Sequence, residues 1–230
     1  MKDFPGLILW AWERPEDLSF ADPREVGVAF LARTIHLRED KTILRPRLQP
    51  LSVAHGTKLI AVARIESDRA RPPALSAEQR ARVVQAVIEL ARPETVAAIQ
   101  IDFDALVSER EFYRDLLTDL RRELPPPVKL SITALASWCM GDNWLEGLPI
   151  DEAVPMLFRM GVGHPGVMAR LEAGTDFSAA LARHSLGIST DEPITALPAG
   201  RRVYVFNPRA WSEQSARGII EEVRKWQLRE

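Results

Sequence analysis

The stretch "AAIQIDFDALVSER", residues 97–110, sets two aspartates two positions apart inside an otherwise apolar run. An unpaired buried carboxylate is costly, so Asp102 and Asp104 need a setting that explains them. Strand side chains alternate between faces, which places Gln100, Asp102 and Asp104 on one side and Ile99, Ile101 and Phe103 on the other. The apolar side suits packing against helices, and the polar side suits the inside of a closed barrel. Asp104 then falls at the C-terminal end of the strand, where (β/α)8 enzymes carry their chemistry. The two carboxylates are spaced by roughly 6.6 Å of strand rise, one at the rim and one a layer below it.

Working outward from this strand, read as residues 96–105, seven further segments have strand character: 6–13, 26–37, 58–67, 128–135, 152–160, 184–190 and 201–209. Residues 41–53 read as an excursion or hairpin, because Pro46 and Pro50 disfavour central strand positions. Ser76 and Gln79 form a capping-box signature ahead of a helix with Val83, Val84, Val87, Ile88 and Ala91 on one face. Ser108 stands as the cap of a second helix, whose stripe of Phe112, Leu116, Leu117, Leu120 and Leu124 stops at three prolines. Helical patterns follow at 164–172, 176–184 and 212–228. Eight strands alternating with helical connections predict an α/β fold, a single (β/α)8 TIM-type barrel over residues 1–230. A doubly wound open sheet is the alternative, but the first strand leads into no glycine-rich turn.

Composition narrows the function. Hydrophobic residues make up 46% and charged residues 27% of 230, the balance of a folded globular chain. The net charge is −2 and arginine is dispersed, so no nucleic-acid partner is expected. Cys139 is the only cysteine and the four histidines, among them His55, His164 and His184, show no metal-ligand spacing; neither a disulfide nor a zinc site is expected. The opening "MKDFPGLILWAWE" is too short for a signal segment, and no later run is long enough to span a membrane. A soluble, cytoplasmic protein is the expectation, or an exported one if a leader has been removed.

The parity test picks out further mouth residues. On the third strand Val62, Arg64 and Glu66 share a face, and Glu66 is expected beside Asp102 or Asp104 across a strand spacing of about 4.8 Å. Clustered carboxylates repel, so one holds its proton above its usual pKa, as a general acid must near neutral pH. Arg64 would counter that charge. Ser131 and Thr133 offer hydroxyls from the fifth strand, and Asn207 ends the eighth. Trp10, Trp12 and Glu13 come from the first strand, while Trp138 and Trp211 follow the fifth and eighth. Carboxylates ringed by aromatics suit a carbohydrate: acids for the glycosidic oxygen, flat apolar faces for sugar C–H surfaces. In this reading Asp104 is the general acid/base, Asp102 tunes it, and Glu66 is the nucleophile or water-activating base. A Glu66–Asp104 separation of about 5–5.5 Å would give retention, and about 6.5–9.5 Å inversion. Gln100 and Thr133 join the tryptophans, Glu13, Arg64 and Asn207 as substrate-binding candidates. His36, Tyr113, Asp191 and Glu192 lie near enough in sequence to contribute. The plain alternative is a buried ion-pair network of Asp102 and Asp104 with Arg64, and tryptophans that are simply core.

The strings "RIES" (64–67), "IQIDFDALVSEREFY" (99–113), "LSITALASWC" (130–139), "PMLFRMG" (155–161) and "FNPRAW" (206–211) resemble, over nearly the whole chain, an uncharacterised bacterial family catalogued as a domain of unknown function. That resemblance implies a glycosidase-like barrel. More distantly, "QIDFD" is similar to the aspartate-rich fourth-strand motif of chitinase-like glycoside hydrolases of family eighteen. The likeness puts Asp104 at the position of the acid, Asp102 at the preceding aspartate and Gln100 at an earlier aspartate. "PMLFR" on the sixth strand is faintly similar to that family's Met-x-Tyr-Asp segment, with Phe158 at the tyrosine and Arg159, a substrate-binding candidate here, at the aspartate. This chain departs from that pattern in having Asp104 for glutamate, Gln100 for aspartate, and Phe158 and Arg159. Two other classes stay open: a non-catalytic, lectin-like barrel, and a metal-dependent hydrolase with Asp102, Asp104 and Glu66 as oxygen ligands of magnesium or calcium. No cofactor is expected for the glycosidase-like or the lectin-like barrel.

Overall fold

Residues 1–161, 164–192 and 198–227 are described by the computed structural model. Their strands are β1 (Leu7–Ala11), β2 (Glu16–Leu18), β3 (Val26–Arg38), β4 (Lys41–Pro46), β5 (Leu51–Val53), β6 (Leu59–Ser67), β7 (Val96–Asp102), β8 (Lys129–Leu135), β9 (Glu152–Met156), β10 (Ser185–Ser189) and β11 (Arg202–Phe206). All but β2, β4 and β5 pair in parallel, in the order β1-β3-β6-β7-β8-β9-β10-β11, and β11 returns to β1 to close an eight-stranded barrel. Closure falls on β1, in which Leu9 aligns with Val28 on one side and Val205 on the other. With both edges paired and both faces covered, all five residues of LILWA are buried. A continuous apolar run is what such a strand requires.

The eight barrel strands lie where the sequence places them; the helices only partly do. Helix α1 (Ala77–Ile88) follows β6, α2 (Arg110–Glu123) follows β7, the single turn α3 (Ala136–Cys139) follows β8, α4 (His164–Glu172) follows β9, and α5 (Glu213–Gln227) follows β11. Among the described residues no helix joins β1 to β3, β3 to β6, or β10 to β11, so strict strand–helix alternation is not what they show. The first of these gaps is spanned by β2 and the second by β4 and β5, with β2 and β5 forming a small parallel pair and β4 running antiparallel to the end of β3. The pattern at 176–184 gives only a 3₁₀ turn at Ala180–Ala182. That at 212–228 holds as α5, with residue 228 outside the described residues.

Two caps differ in detail. Ser76 Oγ accepts from the Gln79 N–H as expected. The Gln79 side chain accepts from the Leu75 N–H and donates to the carbonyls of Glu39 and Lys41, tying α1 to the β3–β4 turn. Ser108 is not a cap: the Glu109 carboxylate accepts the Leu106 N–H at 2.7 Å and holds the turn that leads into α2.

The alternation on β7 sorts its side chains into two cores. Ile99, Ile101 and Phe103 pack outward with Val83 and Val87 of α1 and Leu116 and Leu120 of α2. Inside, Ile8, Trp10, Ala29, Leu31, Ile60, Val62, Ala98, Val154 and Tyr204 fill the barrel. Large and small residues oppose one another there: a Cβ on Gly187 would stand 3.0 Å from Trp10 Cη2. On β3 the register slips between Leu31 and Arg33, so Ala32 is a bulge. The bulge reverses the facing of every later residue on the strand. Thr34 and His36, in place of their odd-numbered neighbours, thereby align with Arg64 and Glu66.

Near the opposite end of the interior, Glu152 is fully buried, its carboxylate accepting from Arg202 Nη1 and, at 2.7 Å, from the Tyr204 hydroxyl. Removing one partner of a buried pair strands the other charge. Glu152→Ala is therefore expected to cost about 3–5 kcal/mol, and Tyr204→Phe about 1.5–3 kcal/mol for a hydrogen bond to a charged group. Urea denaturation of both variants checks this; equal, small losses would show that Glu152 contributes no more than packing.

Candidate active site

At the C-terminal end of the strands the barrel opens into a cavity of about 550 Å3, lined among others by Trp12, Arg64, Asp102, Asp104, Thr133, Phe158, Arg159 and Phe206. Its floor is Trp10, whose indole N–H donates to Gln100 Oε1 at 2.9 Å across the barrel. Gln100 in turn donates to Ser131 Oγ at 3.3 Å, which fixes the amide's orientation below the aspartates. Gln100 thus belongs to the buried floor and does not line the cavity.

Asp102 closes β7 and is buried. Thr133, one strand over, donates its hydroxyl to Oδ1 at 2.7 Å, and Arg64 Nη1 stands 3.5 Å from Oδ2. Burial raises the Asp102 pKa; Arg64 and Thr133 oppose the shift, and Asp104 and Glu66 add to it. Asp104 lies beyond the strand end on the rim and is exposed. Desolvation raises its pKa as well, against Arg64 and Arg69. Two carboxyls inclined to hold their protons therefore share one concave mouth, a pattern associated with acid–base chemistry.

Glu66 is close to this pair without facing the cavity. Its carboxylate accepts from Arg64 Nε at 2.7 Å and sits 3.1 Å from His36 Nδ1. The β3 bulge brings His36 into this position, a contact the sequence does not announce. Arg64 is divided between Glu66 and Asp102, and its guanidinium also lies over the Trp12 ring at 5.7 Å. Among the described residues no set of three His, Cys, Asp or Glu side chains is arranged to hold a metal ion. Asp102, Asp104 and Glu66 do not form such a set; Arg64 is bonded between the first and last of them.

The aromatic lining is Trp12 with Phe206 and Phe158. Trp12 meets Phe206 edge-on at 5.9 Å, and Phe206 stacks on Phe158 at 5.7 Å with 3° between planes. The loop that presents Trp12 is held by Arg47, which donates to the carbonyls of Trp12 and Arg14. Arg159 enters the lining from the loop after β9. Other expected contacts lie elsewhere. Trp138 is buried in the helical layer against Trp144 at 4.8 Å, under Arg110. Trp211 is also buried, its indole donating to the Trp10 carbonyl. Tyr113 packs on Phe103 and Trp144. Glu13 is exposed outside the cavity lining. Asn207 is buried and accepts from the Thr190 hydroxyl at 2.9 Å, holding a loop. Asp191 and Glu192 are engaged by Ser189 and by the Arg159 backbone.

The raised Asp102 pKa has a consequence for stability. An unfolded aspartate titrates near about 3.9. Folded Asp102 keeps its proton above that pH, so stability falls as pH rises from about 4 through the folded pKa. Asp102→Asn retains an acceptor for Thr133 and removes this fall, so the variant should gain on the wild type as pH climbs through that window. Urea midpoints of both proteins between pH 3.5 and 7 would show it; a difference independent of pH would mean that Asp102 is not held protonated.

Similarity searches extend the picture. No curated protein matches the chain by sequence. Among solved structures, the crystal structure of the Bacillus cereus spore cortex-lytic enzyme SleL superposes with a TM-score of 0.51 at 15% sequence identity, over 79% of this chain and 50% of that one. The chain thus spans about half the length of that enzyme, and the likeness is one of barrel fold. Residues 55–156, a shorter span than the string resemblance suggests, match the family described as "Domain of unknown function (DUF3142)". That segment contains β6, β7, β8 and β9 with Arg64, Asp102, Asp104 and Thr133, so it is in the aspartate-bearing half of the barrel that the chain resembles this family.

Proposed function

We propose that the chain is a glycosidase-like hydrolase in which residues 1–230 form one domain, a (β/α)8-type barrel with helices missing from part of its wall. The observation that carries this reading is the pair Asp102 and Asp104, both with raised pKa, in a cavity whose other wall is aromatic. Sugar rings present apolar C–H faces to Trp12, Phe158 and Phe206, and a proton donor at the rim reaches the glycosidic oxygen. Asp104 is assigned as that donor. Asp102, beneath it and held by Thr133 and Arg64, shares its proton and tunes its acidity. Glu66, turned to Arg64 and His36, positions Arg64 and does not itself face the substrate. The structural neighbour is a spore cortex-lytic enzyme, which supports a glycan substrate.

A lectin-like barrel is the second reading. It is favoured by the small number of cavity-facing carboxylates and by the absence of Glu66 from the lining. Hydrolysis of a glycan and aryl-glycoside panel, with binding followed in parallel, separates the two. Asp104→Asn is expected to lower turnover by about 10²–10⁴-fold, the usual contribution of a general acid, with binding kept. Binding without turnover in wild type and variant alike would establish the lectin-like reading; no binding at all would remove the carbohydrate.

A further inference from the structure

We propose that the sugar taken into this mouth carries a carboxylate and that Arg159 reads it, an inference that rests on the carbohydrate reading above. Arg159 is held in an unusual way. Its φ is +54°, a left-handed backbone that side-chain-bearing residues rarely adopt. Both carboxylate oxygens of Glu192 accept the Arg159 N–H at 3.1 Å, which stabilises that turn. Strain of this kind persists where the surroundings over-determine the residue, and it concentrates at ligand sites.

The side chain is placed as deliberately as the backbone. The Arg159 guanidinium lies over the Phe206 ring at 5.0 Å, and Phe206 is stacked on Phe158 and met by Trp12. It makes no hydrogen bond to the described residues, and Asp191 Oδ2 is 3.9 Å away with both side chains well exposed. An ion pair of that kind contributes little. Asp191 is moreover engaged by Ser189. The guanidinium therefore lies on an aromatic shelf in the cavity lining with its fork not taken up by the described residues, and such a fork suits bidentate capture of a carboxylate.

The charge of the lining agrees. The charged residues facing the cavity are Arg64, Arg159, Asp102 and Asp104. Of these, Arg64 and Arg159 carry fixed positive charge. Arg64 is already committed to Glu66 and Asp102, which leaves Arg159 as the reader. A sugar ring seated on Trp12 and Phe206 would bring a substituent at its edge to Arg159.

The test is binding, by calorimetry, of oligosaccharides bearing uronic-acid or ether-linked carboxylates, each paired with its carboxyl-reduced neutral counterpart. Wild type should prefer the acidic member of a pair by about tenfold or more, the scale of a hydrogen bond to a charged group. Raised ionic strength should weaken the acidic member alone. In Arg159→Gln the preference should vanish while the neutral member binds as before; circular dichroism confirms the fold of this rim variant. Equal binding of acidic and neutral members, or a preference that survives in Arg159→Gln, overturns the proposal and leaves the carbohydrate reading standing. Failure of every member to bind would end both.

Discussion

One hydrogen bond sets the depth of the site: the Trp10 indole N–H to Gln100 Oε1, spanning 90 residues of sequence and the width of the barrel. Trp10 also packs its ring on Tyr204 at 5.3 Å, fits over Gly187, and offers its carbonyl to the Trp211 indole. The space above Trp10 is a bowl and the space below is core. The burial of Asp102, the raised pKa values and the aromatic wall all belong to the bowl that Trp10 closes.

Polar groups inside the barrel are stacked at three levels, and each is satisfied differently. Glu152 at the bottom is neutralised by Arg202 and Tyr204. Gln100 in the middle is uncharged and bonded at both ends of its amide. At the top Asp102 is only partly compensated, because Arg64 sits 2.7 Å from Glu66 and 3.5 Å from Asp102. A carboxylate given a full ion pair would stay ionised and be of no use as an acid. The unequal sharing of Arg64 leaves Asp102 able to hold a proton.

The strand plan was legible because barrel strands announce themselves as apolar runs, and all eight were found where the sequence placed them. Facing on β7 was equally legible, since alternation decides it: Gln100 and Asp102 inward, Ile99 and Ile101 outward. Thr133 beside Asp102 followed from the same parity. The bulge at Ala32 was not legible, and it inverts the second half of β3, so His36 was not foreseen as the partner of Glu66. Trp138 and Asn207 were misplaced because a position after a strand end does not say whether the chain then turns toward the mouth or into the outer layer. The inward facing of Glu152 is legible from Val154, which shares its face of β9, but its partners Arg202 and Tyr204, some fifty residues on, are not. A serine ahead of a helical stripe carries the same cap signal whether or not it is used, and at this turn Glu109, one residue on from Ser108, reaches back to do that work.

The closure of the barrel through β1 has a kinetic side. β1 pairs with β3, which begins 15 residues after it ends, and with β11, whose first residue is Arg202. Such distant pairings pay their loop-closure entropy before any contact rewards them, and they slow folding. On a ribosome the seam must stay open until nearly the whole barrel has emerged, with one edge of an apolar strand unpaired meanwhile. Exposed edges of this kind invite association with other chains. The same strand that carries Trp10 to the centre of the finished barrel is thus the one whose nascent state most depends on being shielded.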